Sequence, residues 1–326
     1  MTLLKFSPGA IARCRFAISP LAETVGSLIA LHRPCVDPWL ARWHERNQAA
    51  YRVWAASDEV ITGMMAVIAA TKWLPDTITP PPMGGVDTSP SAELAMVRSH
   101  SDEEVRADFG NAVSESWIEQ DTRWLRHDDL SRRIADALDE GWRGFVQPDW
   151  SRRRSVLERD IMYRAGILAA YGWQKAVEGI TRQSVWVGKD AIRFSDQDFP
   201  DRTIDDGLIF VPQTAGNGSW TCEQPPHYAL VYPARGAAAP QHDLTDDAAA
   251  SLLGAGRARV VRELTIAASS SQLAEILGVS LGTVSGHLAV LRKAGVVTGS
   301  RMGHQVVYRL TSRGTALLDA FTEPTR

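Results

Sequence analysis

The stretch from Ser270 to Gly295, reading S-S-Q-L-A-E-I-L-G-V-S-L-G-T-V-S-G-H-L-A-V-L-R-K-A-G, restricts the fold more than any other part of the chain. It contains two apolar stripes at helical spacing with a glycine between them. A helix-turn-helix needs a small residue where the helices cross, a glycine at the turn and aliphatic side chains around both. Ala274, Gly278 and Val284 fall at those places, and Leu273, Leu277, Val279 and Leu288 fill the expected core. Ser280 is placed to cap the second helix, whose N-terminal half is then free to enter a major groove. Beyond it, Val296–Thr311 alternates about Met302-Gly303, which predicts a β-hairpin with Arg301 and His304 near its tip. Helix-turn-helix plus basic hairpin makes a winged helix.

The order of these parts resembles the ArsR family of bacterial transcriptional regulators. The shared residues are Leu273-Ala-x-x-Leu-Gly278, Thr283-Val-Ser-x-His-Leu288, Leu291-x-x-Ala-Gly295 and Tyr308-x-Leu310 within about Leu244–Phe321. The resemblance implies a DNA-binding module that docks as a homodimer on a pseudo-palindromic double-stranded operator, most often as a repressor. It turns Ser280, Leu281, Gly282, Thr283, Ser285, Gly286 and His287 toward the DNA, with Arg292, Lys293, Arg301, His304 and Gln305 as flanking contacts. Two positions depart from the family pattern: Gly282 and Gly286 present no side chain where relatives carry polar or basic residues. Readout of bases should therefore be sparse, with more weight on the wing or on DNA shape. His287 has a second reading, as a half-buried structural histidine.

Family members that sense soft metals do so through cysteines in the first helix of the motif or Asp/His pairs in the last helix. Ser269–Ile276 has no Cys or His, and Ser312–Phe321 offers only Asp319. The His32, Cys35 and His44 trio reads as packing and surface residues. No metal and no cofactor are expected.

Charge supports the DNA reading. From Arg257 onward there are nine Lys/Arg against four Asp/Glu, whereas the whole chain carries a net charge of −3. Arg257, Arg259, Arg262, Arg292, Lys293, Arg301 and Arg309 are candidates for a phosphate-neutralising patch. All eleven tryptophans, Trp39 to Trp220, lie before this basic end.

The preceding part reads as mostly helical. Ser19-Pro20, Asp37-Pro38, Ser57-Asp58-Glu59 and Ser101-Asp102-Glu103-Glu104 are helix starts, and helical patterning covers Leu130–Phe145 and Trp150 to about Ile180. Pro75–Pro90, with Pro80-Pro81-Pro82 and Gly84-Gly85, is expected to be a surface loop. Strands are expected around Gly188 within Ser184–Phe194, at Leu208–Val211 and at Ala229–Tyr232. The expected fold is thus mainly α with small β elements. A helical sensor or dimerisation domain spans 1–234 with a β-annex, a linker 235–243, and the winged helix 244–326. The first domain is similar to the poorly characterised N-terminal domain fused to ArsR-type winged helices in actinobacteria. That likeness rests on Arg15-Phe-x-Ile-Ser-Pro-Leu21, Pro38-Trp-Leu-x-x-Trp43 and Ala229-Leu-Val-Tyr-Pro-Ala234, and on the Trp150–Gly172 helix.

Such a domain is expected to receive a non-metal small-molecule or protein signal. Trp39, Trp43, Trp117, Trp124, Trp142 and Trp173 are the candidates for lining an effector pocket; the plainer reading is that they fill the core or an interface. Catalysis finds no support: phosphate-binding glycine loops, GxSxG and HExxH are all missing, and the acid pairs Asp128-Asp129 and Asp205-Asp206 read as solvent-facing. Three cysteines, Cys14, Cys35 and Cys222, make no disulfide framework. No run approaches the ~18 apolar residues of a membrane span. The expectation is a cytoplasmic regulator that is not an enzyme. The competing classes are a winged-helix adaptor that docks on a protein rather than on DNA, and an enzyme domain fused to a regulator.

Overall fold

The computed structural model describes residues 2–34, 40–181, 185–195, 199–216, 218–234, 248–302 and 305–322. The linker expected at 235–243 lies outside them. The chain is mainly helical with small sheets, and its contacts divide it into two units.

Unit 1 comprises the described residues up to Trp150 and from Arg164 to Ala234. Its helices start where short polar side chains occupy the orphan N–H groups of a first turn. Helix α1 (Pro20–His32) follows Ser19, whose Oγ accepts the Ala22 N–H at 2.8 Å. That hydroxyl donates in turn to Glu93 Oε1 at 2.5 Å, while Glu93 Oε2 accepts the Leu21 N–H at 2.9 Å. Burial pushes the Glu93 carboxyl up to about 8 against these bonds, which pull it down. After α2 (Ala41–Ala55), α3 (Glu59–Ile68) begins with the Asp58 carboxylate accepting from Val60 N–H at 2.8 Å. Then come α4 (Pro90–Arg98), capped by Ser89, and α5 (Asp102–Ser114), with a reciprocal capping box between Ser101 and Glu104. Helix α6 (Leu130–Gly141) runs into a widened turn, Trp142–Val146; α7 (Trp150–Tyr171) stops at Gly172, and α8 (Trp173–Val177) follows.

The β content is larger than expected. Strands β1 (Thr2–Phe6), β3 (Val185–Val187), β4 (Ala191–Ser195) and β5 (Arg202–Ile204) form a sheet in the order β3-β4-β1-β5. Strands β2 (Arg15–Phe16), β6 (Leu208–Gln213), β7 (Trp220–Gln224) and β8 (His227–Pro233) form a second, β2-β6-β8-β7, with parallel β2/β6 and β6/β8 pairs. The three expected strand regions are present; β1, β2, β5 and β7 were not expected. In β6 every residue is buried, and alternate side chains serve two cores. Leu208 and Phe210 meet Leu4, Phe6 and Ile192 of the first sheet, whereas Ile209 and Val211 meet Ala22 of α1.

The first half of the proline-rich segment corrects the surface-loop expectation, because Thr77–Pro82 is buried, whereas Met83, Gly84, Val86, Asp87 and Ser89 are exposed as expected. Three consecutive prolines have no N–H to satisfy, which makes such a segment inexpensive to bury. Thr77 N–H donates to Asp108 Oδ2 at 2.7 Å and Thr79 Oγ1 donates to the Pro75 carbonyl at 3.2 Å.

Unit 2 comprises Ser151–Tyr163 of α7 and the described residues from Ala248 onward. Helices α9 (Ala248–Leu253) and α10 (Ala255–Glu263), strand β9 (Ala268–Ser269), α11 (Ser270–Leu277) and α12 (Leu281–Lys293) precede the hairpin β10 (Val297–Met302) and β11 (Gln305–Leu310), with α13 (Ser312–Thr322) last. The sheet order is β10-β11-β9, the fold of a winged helix. Arg159 of α7 is buried here; Nη1 meets Glu263 Oε2 at 3.0 Å, and Nη2 donates to the Glu263 and Ile266 carbonyls.

Candidate nucleic-acid interface

The helix-turn-helix is built by local chemistry. Ser269 and Gln272 form a capping box at the start of α11: Ser269 Oγ accepts the Gln272 N–H at 3.2 Å, and Gln272 Oε1 accepts the Ser269 N–H at 2.9 Å. Gly278 ends the helix in the left-handed region at φ 65°, where a Cβ would be strained. Ser280 Oγ then accepts the Thr283 N–H at 3.1 Å to start α12. The two helices bend by 117°, within the angle usual for this motif. Leu273, Ala274, Leu277, Val284, Leu288 and Leu291 pack with Val260 and Val261 of α10 and with its C-cap Leu264. Among the described residues no single helix is long and apolar enough to cross a membrane.

Packing one face of α12 leaves the other open. Leu281, Gly282, Ser285, Gly286 and Ala289 are exposed along one side, with Leu281 half-exposed at 50% and Val290 at 49% beside them. A Cβ on Gly286 would meet nothing within 4 Å. Thr283 is exposed too, but its hydroxyl lies 2.8 Å from that of Ser280, so it reinforces the cap. His287 does not share the open face. It is half-buried, and its Nε2 would lie 2.5 Å from a Cβ on Gly256 of α10. Of its two readings, the geometry is that of a packing residue.

Arg292 and Lys293 are exposed at the last turn of α12 and have no acidic partner among the described residues. With Ser285, Leu288, Ala289 and Tyr308 they line a groove of about 460 Å³. Arg301 pairs across the hairpin with Val306, which puts it on the same hairpin face as Tyr308. Gln305 is exposed at the start of β11, and His304 lies outside the described residues. Tyr308 and Ala289 were not among the sequence candidates for contact. The helical spacing of Ala289 from Ser285 and the hairpin register of Tyr308 were the available signals.

The seven cations do not make one patch. Arg257 Nε donates to the Leu253 carbonyl, and Arg259 Nη2 donates to the Leu277 carbonyl at 2.8 Å, closing the C-terminal end of α11. Burial lowers the pKa of Arg262. Arg292, Lys293, Arg301 and Arg309 remain exposed, with Arg309 on the opposite hairpin face from Arg301.

The tryptophan candidates are dispersed. Trp43 is buried and donates Nε1–H to the Phe145 carbonyl at 2.9 Å; Trp124 packs edge-on to Phe109 at 5.1 Å and against Gly63. Trp142 meets Trp150 at 5.0 Å, and Trp173 stacks on Phe16 and Phe210. Trp117 is 54% exposed with the Arg33 guanidinium 5.4 Å from its ring. These five have different packing partners, and Trp39 lies outside the described residues. They are large apolar side chains distributed among separate packing sites.

No group of three metal-ligating side chains occurs among the described residues. His32 Nδ1 is 2.7 Å from the Tyr51 hydroxyl and His44 Nε2 is 3.2 Å from the Arg33 carbonyl; Cys35 is outside the described residues. Cys14 and Cys222 are both free thiols, and burial pushes Cys14 up to about 11 and Cys222 up as well.

No curated protein and no solved structure matches the chain. Residues 267–298 match the model of the bacterial regulatory protein arsR family, so the open helix α12 belongs to an ArsR-type, DNA-binding helix-turn-helix of transcription regulators.

Proposed function

We propose that the protein is a non-enzymatic transcription regulator that binds a pseudo-palindromic operator as a homodimer, with repression as its ordinary output. The observation that carries this reading is the open face of α12 beside Arg292, Lys293 and the Arg301 face of the wing. A major groove admits a helix that presents such a face, and Arg292, Lys293 and Arg301 have no acidic partners among the described residues to give up. Leu281, Ala289 and Val290 suit thymine methyl groups better than hydrogen-bonding base edges, which supports sparse direct readout. Unit 1 supplies the signal-receiving part, and an effector or partner acts by favouring one population of the dimer.

The apolar character of the same face favours one second reading, a module that docks on a protein. Selection of DNA from a pool of double-stranded genomic fragments separates the two. The regulator enriches an inverted repeat; the adaptor enriches none.

A further inference from the structure

Unit 1 contains a cavity of about 360 Å³, at the lower end of the roughly 300–1,000 Å³ that small-ligand pockets span. One stripe of α1, from Gly26 through Ile29 and Ala30 to its C-cap Arg33, forms a wall. Ile68, Leu74 and Trp220 supply further apolar lining, so an apolar ligand body would be desolvated there.

Polar groups mark the two ends. Gln213 lines the cavity, is 1% exposed, and donates from Nε2 to the Gly218 carbonyl at 2.7 Å, which fixes the amide orientation. Its Oε1 then receives no hydrogen bond among the described residues. A buried acceptor without a donor is uncommon in a native fold and asks for one. Gly26 permits this placement, because a Cβ there would stand 2.4 Å from that oxygen. At the other end, Arg33 is held by two bonds to the Ala69 carbonyl, from Nε at 2.9 Å and from Nη2 at 2.6 Å. Neither Arg33 nor exposed Lys72, which also lines the cavity, has an acidic partner among the described residues. Gly26 and Arg33 are seven residues apart, about 10 Å along a helix.

We propose that this cavity binds a small apolar organic acid carrying a hydrogen-bond donor at its far end. The carboxylate meets Arg33 and Lys72, and the donor reaches Gln213 Oε1. This deepens, and rests on, the reading of unit 1 as the receiver of a small-molecule signal.

The full-length chain, titrated calorimetrically with ω-hydroxyoctanoate, octanoate and octanediol, tests the assignment. The hydroxy acid should bind about tenfold more tightly than either relative, a difference of about 1.4 kcal/mol. The double change Arg33→Gln and Lys72→Gln should remove its advantage over the diol while the diol binds as before, which shows that the cavity is intact. Gln213→Leu should remove its advantage over octanoate. No binding by any of the three, equal binding by all, or a preference that survives both variants would overturn the site. Titrating the hydroxy acid into protein bound to a genomic fragment pool separates the two claims. Binding without any change in DNA affinity supports the cavity and removes the signalling role; intact DNA binding with no ligand bound removes the cavity alone.

Discussion

Gly286 and Gly256 sit on helices that touch, yet their surroundings make opposite demands. At Gly286 a methyl group meets open space, so Gly286→Ala should raise unfolding stability by up to ~1 kcal/mol through helix propensity. At Gly256 the same methyl strikes His287, so Gly256→Ala should destabilise by about 1–3 kcal/mol unless the ring moves. Urea unfolding of both variants checks the pair, and the same sign for both would contradict the assignment of His287 to the helix contact. Glu93 gives a pH prediction. Its carboxyl is raised to about 8 from an ordinary 4.5, so the folded protein holds a proton that the unfolded chain has released. Its contribution to stability is complete below about 4.5 and declines as pH rises toward 8. Unfolding free energy followed across that window should fall less steeply in Glu93→Gln than in the parent; equal slopes would contradict a protonated buried Glu93.

At the level of elements, helix α12 depends on its cap. Ser280→Ala should cost about 1 kcal/mol of stability and weaken DNA binding, because it frees the Thr283 N–H and the end that faces the groove. A second test concerns α7. Arg159 is buried in unit 2 and holds three oxygens, so a fragment starting at Leu244 lacks a packed element. It should unfold at a lower urea concentration than the winged helix does within the full chain, and equal midpoints would show Ser151–Tyr163 to be dispensable.

The same elements show what a sequence displays. The helix-turn-helix was legible because cap, glycine and aliphatic spacing are all local and lie within thirty-odd residues. Strand β1 was not, since five residues pair with Ala191–Ser195 and Arg202–Ile204, far along the chain, and nothing local announces such partners. The proline run was legible as non-helical but not as buried, because proline removes a donor without saying what will cover it. The groove's edge at Tyr308 was set by hairpin register, which the sequence suggests only once the turn is known. The tryptophans singled out from the sequence did not mark the cavity of unit 1, which Trp220 lines instead. Size and burial tendency bring such residues into cores whether or not they converge.

Across the whole molecule, charge divides the labour. Nine cations against four acids from Arg257 onward suit a phosphate-binding end, and the acidic remainder should not compete for DNA. Dimerisation belongs at this scale: sedimentation at micromolar concentration with operator DNA should give a dimer, and a strict monomer would remove the two-half-site geometry. The most direct test of the central claim is the affinity of the purified full chain for its selected DNA, with and without Arg301→Ala, over a range of salt. Sequence-specific binding that weakens with salt is expected, together with an Arg301→Ala variant that binds less tightly with a log–log salt slope reduced by about one. Affinity no greater than for random duplex, in parent and variant alike, would contradict it.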